Sequence, residues 1–254
     1  MAAPVANLSL KCFHPRPGAR LRLFCFPWAG VGASAFYSWL THLPGEVELT
    51  AIQYPGREDR LGETPLRRLS PLLELLIRDL TTYCDRPFAF FGHSMGALVA
   101  FELTRELMRA GLPAPGHLFV SGRQAPQLPE PRAPILDLPD AEFIAELQQR
   151  YGGVPEAIAR DPELSAIFLP AIRADLELVY AYAYEPGPAL DCGISAFGGT
   201  EDRIGREHLE GWRLQTSGPF RLHLLSGDHF FLTARTEEVV RRVTEDMRAA
   251  FAPR

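Results

Sequence analysis

The chain has 254 residues, 46% of them hydrophobic and 22% charged, which excludes a disordered chain and suits a single large α/β core. A net charge of −5 without a long basic run argues against a nucleic-acid partner, because phosphate binding needs concentrated positive charge. No apolar stretch reaches the ~20 residues of a membrane span, and "MAAPVANLSLKCFHPRPGAR" lacks the charged region and apolar core of a signal peptide, so a cytoplasmic protein without a membrane partner is expected.

Seven apolar runs read as strands. "LSLKCFH" (8–14) alternates and is followed through a Pro/Gly turn by "LRLFCFP" (21–27), which predicts an antiparallel hairpin at a sheet edge. "VELTAIQ" (47–53), "PFAFFG" (87–92), "HLFVSG" (117–122), "GISAFGG" (193–199) and "FRLHLL" (220–225) complete the set, and the middle runs are apolar almost throughout, as in parallel strands covered on both faces. Between the strands, Phe36–Leu43, Leu69–Tyr83, Met95–Arg109 and Thr236–Phe251 carry apolar residues at helical spacing. Thr236 is the expected N-cap of the last helix, with Val239, Val240, Val243 and Met247 facing inward.

The alternation breaks once. Proline-rich "RQAPQLPEPRAPILDLPD" is followed by three helical pieces, Asp140–Arg150, Pro155–Arg160 and Pro162–Tyr184, with no strand before Gly193. That is too long for a connection. The reading is one α/β domain over 1–254, with a mostly parallel sheet of about seven strands and a helical lid inserted over roughly 130–188. The four cysteines (Cys12, Cys25, Cys84, Cys192) form no C-x-x-C pair and no Cys/His cluster, so neither a zinc site nor a disulfide framework is indicated.

Gly92-His93-Ser94-Met95-Gly96 matches G-x-S-x-G, placed directly between a buried strand and an amphipathic helix. A nucleophile elbow needs that context: a sharp turn lifts the serine above the sheet, and flanking glycines let strand and helix approach. A serine hydroxyl needs a base and the base an orienting acid, here expected later in the chain at strand ends. Asp202 lies on the exit of the sixth strand and His229 on the exit of the seventh. Glu201 is the rival acid, while His93 is read as packing beneath the elbow. The oxyanion hole falls to the backbone N–H of Met95 and to that of Ala29 in the early loop "FPWAGVGAS".

"FPWAG", "QYPGREDR", "FFGHSMGALVAFE", "LPAIRADLELVYAY", "GGTEDRI" and "GDHFFL" together resemble the type II thioesterases, the free-standing editing enzymes of polyketide synthases and nonribosomal peptide synthetases. The resemblance covers nearly the whole chain. It implies the α/β-hydrolase fold with a helical lid, and hydrolysis of acyl thioesters carried on the phosphopantetheine arm of an acyl or peptidyl carrier protein. It also implies a Ser94–Asp202–His229 triad with Ala29 and Met95 as oxyanion donors. No cofactor or metal is expected beyond the phosphopantetheine that the substrate brings, and a monomer is expected. Trp28 and Val31 depart from the family's usual early Pro-His-Ala-Gly-Gly, which alters the expected shape of the substrate chamber near Trp28, a candidate substrate-binding residue. Tyr180, with Tyr182 and Tyr184, is a further candidate lining residue, against the alternative that these tyrosines pack the lid onto the core. Three other readings share these residues: a general carboxylesterase or lipase, a non-catalytic binding module of the same fold, and acyl transfer to an alcohol or amine.

Overall fold

The computed structural model describes residues 8–129, 134–152 and 156–252. Seven strands form one sheet: β1 (Leu10–Lys11), β2 (Leu21–Phe26), β3 (Val47–Ile52), β4 (Phe88–His93), β5 (His117–Ser121), β6 (Gly193–Gly199) and β7 (Phe220–Leu225). Their spatial order is β1-β3-β2-β4-β5-β6-β7, with β1 antiparallel and the rest parallel. Strands β2 to β6 are buried along their whole length, as their continuous apolar sequences require.

The expected hairpin between the first two runs does not form. β1 is antiparallel and at the edge, but it pairs with β3, through Leu10 with Ile52 and Lys11 with Ala51. Both sides of β2 are taken by parallel partners, β3 and β4, so no edge is left for β1. The connection is held away from β2 by Arg16, whose guanidinium donates to the carbonyls of Leu40, Leu43, Pro44 and Val47.

Helices cover both faces. α1 (Leu69–Leu80) and α2 (Met95–Arg109) bury Leu72, Leu76, Ala100 and Leu103 on one face of the sheet. On the other lie a 3-10 helix (Ala33–Thr41) and the C-terminal helix. The segment around Phe36–Leu43, expected as an ordinary helix, tightens because its buried residues Ala33, Phe36 and Trp39 recur every three positions, the 3-10 repeat.

Between β5 and β6 lie α3 (Asp140–Tyr151), α4 (Glu156–Arg160) and α5 (Pro162–Tyr180). Pro155, the expected start of the second of these, lies outside the described residues, as do 130–133. α5 stops at Tyr180 rather than Tyr184, and Asp161 caps its start by accepting the N–H groups of Glu163 and Leu164. These helices carry a small core of their own, with Ile135, Phe143, Leu147, Leu169 and Leu176.

After β6 come α6 (Arg206–Glu210), then β7, α7 (Phe231–Ala234) and α8 (Thr236–Ala250). Val239, Val240, Val243 and Met247 of α8 are fully buried. Thr236, expected as the N-cap, is already inside α8; its hydroxyl donates to the carbonyls of Leu232 and Thr233 and joins α8 to α7 instead.

Among the described residues no helix is long and apolar enough to cross a membrane. The chain order puts β3 on one side of β2 and β4 on the other. That reversal opens a crevice beyond the carboxyl ends of β2 and β4, the usual place for a ligand in such a sheet.

Candidate active site

The crevice is a cavity of about 660 Å³. Its floor comes from strand ends: Trp28 and Ala29 after β2, Ser94 and Met95 after β4, His229 and Phe230 after β7. Its roof is apolar and comes from α3 and α5, through Leu147, Tyr151, Phe168, Ile172, Leu176 and Val179.

Ser94 stands at the turn from β4 into α2 with φ 53°, a left-handed conformation that a non-glycine residue adopts only where the surroundings impose it. The imposing contacts are visible. A Cβ on Gly92 would lie 2.2 Å from the Gly96 carbonyl oxygen, and one on Gly96 would lie 2.1 Å from the Phe26 carbonyl oxygen. Only glycine at both positions lets β4, α2 and β2 meet this closely. The Ser94 N–H is anchored to the Ser121 carbonyl at 2.7 Å, at the end of β5.

Asp202 and His229 approach from the other half of the sheet. His229 Nδ1 lies 2.8 Å from Asp202 Oδ2, with both side chains about 95% buried. A carboxylate only accepts, so the proton sits on Nδ1 and leaves the Nε2 lone pair free to act as a base. Glu201, the rival acid, is exposed on the same turn. Among the described residues no hydrogen bond joins Ser94 Oγ to His229, although both line one cavity; such bonds are commonly long in unliganded sites and tighten with substrate.

Met95 is the first residue of α2, so its N–H has no acceptor within the helix and lies at the positive end of the helix dipole. Ala29 faces the same cavity from the loop after β2. Ala29, Ser94 and Met95 thus border one cavity, which is what two oxyanion donors beside a serine would need.

His93 lies under the elbow, fully buried, with Nδ1 2.9 Å from Ser121 Oγ. Its ring centroid is 5.0 Å from that of His229 and 5.4 Å from Trp28. Burial holds its pKa well below the usual histidine range, and His229 nearby adds to this, so it stays neutral. Trp28 packs edge-on against this ring and lines the cavity wall.

Tyr180, a candidate chamber residue, is not on the wall that holds Ser94. It lines a smaller neighbouring cavity of about 350 Å³ together with Tyr182 and Tyr184. The Tyr182 hydroxyl donates to Glu102 and that of Tyr184 to Gln215, so the chain after α5 is fastened to the body of the protein. Tyr180 continues the row of Ile172 and Leu176, but it is the last residue of α5 and lies at the end of the helix past the main chamber, where Val179 borders both cavities.

Two cavity neighbours escaped the sequence reading. Arg57, after β3, lines the cavity and pairs with the buried Asp175 of α5 at 2.9 Å. The signal was there: Asp175 interrupts an apolar helix face of Ile172, Leu176 and Val179.

A second Ser/His/Asp contact set lies elsewhere. Ser195 Oγ donates to Asp246 at 2.6 Å and lies 2.8 Å from His117 Nε2. Ser195 is fully buried in the first half of β6, and its proton is committed to a carboxylate. A hydroxyl held that way has no access to substrate, and the set reads as a packing network. Among the described residues no group of His, Cys, Asp and Glu side chains is arranged to hold a metal ion.

Comparison with known proteins identifies the family. A family model described as a thioesterase domain matches residues 21–247. The gramicidin S biosynthesis protein GrsT of Aneurinibacillus migulanus is 43% identical over 237 residues, 93% of this chain and 92% of that protein. The solved structure of BorB, a type II thioesterase from the borrelidin biosynthetic cluster, is 34% identical with a TM-score of 0.83, covering 95% of this chain and 97% of that one. YbtT, a type II thioesterase from the yersiniabactin NRPS/PKS pathway, is 31% identical with a TM-score of 0.85, covering 96% and 100%.

Proposed function

The chain belongs to the thioesterase family, and from that premise we propose that it hydrolyses acyl thioesters held on the phosphopantetheine arm of carrier proteins, as an editing enzyme of polyketide or nonribosomal peptide synthesis. The observation that carries the reading is the His229–Asp202 pair, whose histidine lines the floor of the same chamber as the strained Ser94.

In this mechanism His229 Nε2 takes the Ser94 hydroxyl proton as Oγ attacks the thioester carbonyl carbon. The N–H groups of Met95 and Ala29 hold the oxyanion. The carbon–sulfur bond breaks, and the sulfur leaves as a thiol with the proton from His229. An acyl-serine remains. Water then attacks it, passing a proton through His229 back to Ser94 Oγ, and the free acid departs. Asp202 fixes the imidazole tautomer and stabilises the imidazolium. The helices over the chamber act as a lid whose apolar underside takes the acyl chain, while the arm brings its own phosphopantetheine, so the reaction needs no cofactor. The names of BorB and YbtT, type II thioesterases of such pathways, support the carrier-bound substrate.

The test is release of free acid from an acetyl-loaded carrier domain beside hydrolysis of p-nitrophenyl acetate, for wild type and Ser94→Ala. Carrier release is expected to be the faster reaction and to fall by at least about 10³-fold in the variant. Turnover of the oxygen ester alone, or a variant that keeps most of its rate, would overturn the reading.

A further inference from the structure

The buried carboxylate of Asp175 sits where three segments of chain meet. From α5 it reaches across to the loop after β2 and accepts the Gly30 N–H at Oδ2, 2.7 Å away. Its other oxygen takes Arg57 Nη2, from the loop after β3, at 2.9 Å. Gly30 has φ +82°, and a Cβ there would lie 2.4 Å from Ile172 Cγ1, so this loop is pressed directly against α5.

As a device for stability the arrangement is a poor one. Buried ion pairs commonly fail to repay their desolvation, and two of the Arg57 nitrogens, Nε and Nη1, have no hydrogen-bond partner among the described residues. Burial pushes the Asp175 carboxyl up to about 6, against the opposing pull of Arg57 and the Gly30 N–H. What the carboxylate does achieve is orientation. The Gly30 N–H belongs to the Ala29–Gly30 peptide unit. With that N–H pointed at a carboxylate, a flip of the unit would turn the Ala29 carbonyl oxygen toward the negative charge. The flip is thereby opposed, and Ala29 is held from its C-terminal side, while Trp28 packed on His93 holds it from the other.

We propose that Asp175 is a positioning residue for the oxyanion hole: by holding the Ala29–Gly30 peptide from α5, it keeps the Ala29 N–H aimed at the carbonyl oxygen of the acyl group. The inference rests on the Ser94 reading above and extends it, since it makes the helix that roofs the chamber part of the machinery that stabilises the transition state. Arg57 serves to keep the carboxylate ionised and in place.

The experiment compares wild type, Asp175→Asn and the double variant Arg57→Met/Asp175→Leu. Each is measured for melting temperature, for kcat and KM on an acetyl-pantetheine thioester, and for inhibition by an alkyl boronic acid, whose tetrahedral adduct with Ser94 places an oxygen in the oxyanion hole. Asn keeps the shape and a weaker acceptor, so kcat should fall about tenfold. The double variant removes both charges and leaves no buried ion unpaired, so it should fold, yet the Gly30 N–H has lost its acceptor and kcat should fall about 100-fold. In both, KM should move by less than about threefold and boronic acid affinity should fall in parallel with kcat, the signature of an interaction made chiefly in the transition state. A kcat within about twofold of wild type in either folded variant, or a loss of kcat with boronic acid affinity unchanged, would overturn the assignment. Should Ser94→Ala retain activity, the underlying reading fails; should Ser94→Ala be inactive while the Asp175 variants are unimpaired, only this inference fails.

Discussion

The turn at Ser94 depends on two residues without side chains, Gly92 and Gly96. Gly96 is the tighter of the two: its missing Cβ would sit 2.1 Å from one backbone oxygen, Phe26, and 2.7 Å from another, Pro27. Backbone of a central strand cannot swing aside as a flexible side chain would, so a methyl group must push the start of α2 away from β2. Gly96→Ala is therefore expected to cost about 1–3 kcal/mol of stability. It should also lower kcat about 100-fold, because the Met95 N–H moves with the helix. Urea denaturation and steady-state kinetics on one thioester check both numbers; unchanged values would mean that the elbow is more compliant than its packing indicates. At this scale the sequence was most informative. A G-x-S-x-G between strand and helix, an Asp after the sixth strand and a His after the seventh are signals carried by residue type and position alone. What residue type does not carry is which of two adjacent acids turns inward. Asp202 and Glu201 differ by one place on a turn, and only the folded backbone sends one to His229 and the other to solvent.

Among elements, the strands and helices themselves were legible because their apolar periods are long and regular, whereas their partners were not. The antiparallel edge strand was readable from alternation in "LSLKCFH", but its neighbour in the sheet depends on β2 being claimed from both sides, a fact of the whole topology. Tyr180 missed the main chamber for a related reason: α5 ends there, and where its last turn lies relative to the two cavities is a matter of packing, not of helical spacing. Polar contacts between elements were the least legible of all. His117 of β5, Ser195 of β6, His223 of β7 and Asp246 of α8 form one network, with His223 Nε2 2.8 Å from Asp246 Oδ2 and Arg221 also donating to that carboxylate. Burial pushes His117 down to about 4, against the pull of Asp246, and hydrogen bonds from His223, Ser195 and Arg221 overcome burial to hold Asp246 at about 2. In the unfolded chain a histidine takes its proton near the ordinary value of about 6.5. Between there and about 4 the unfolded state thus binds the extra proton, and the contribution of His117 to stability falls as pH falls. Burial acts on His93 in the same direction and on Asp175 in the opposite one, so the total slope mixes several groups. A difference between variants isolates the one of interest. On going from pH 7 to pH 5, wild type should lose about 1–2 kcal/mol more than His117→Gln, which keeps an amide donor for Ser195. Urea denaturation at the two pH values checks this, and parallel losses would show that His117 is protonated in the native protein.

Taken as a whole, the molecule divides its labour along the sheet. The amino ends and the middle of the strands hold packing, including His117 and Ser195, which with Asp246 of α8 make a buried network. Beyond the carboxyl ends lies the candidate site, where the reversal of strand order opens the crevice and helices α3 and α5 close it from above. The fold class and the family were readable from the sequence because both rest on order along the chain. The tie between α5 and the loop after β2 was not, because it joins residues 145 positions apart through one carboxylate. At the centre of the proposed mechanism one serine carries the acyl group. Labelling with a fluorophosphonate, followed by peptide mass spectrometry and by thioester hydrolysis of the same sample, tests it most directly. One phosphonyl group per chain is expected, on Ser94, with hydrolysis lost in proportion to labelling. A label on any other residue, or hydrolysis that persists when Ser94 is fully labelled, would contradict it.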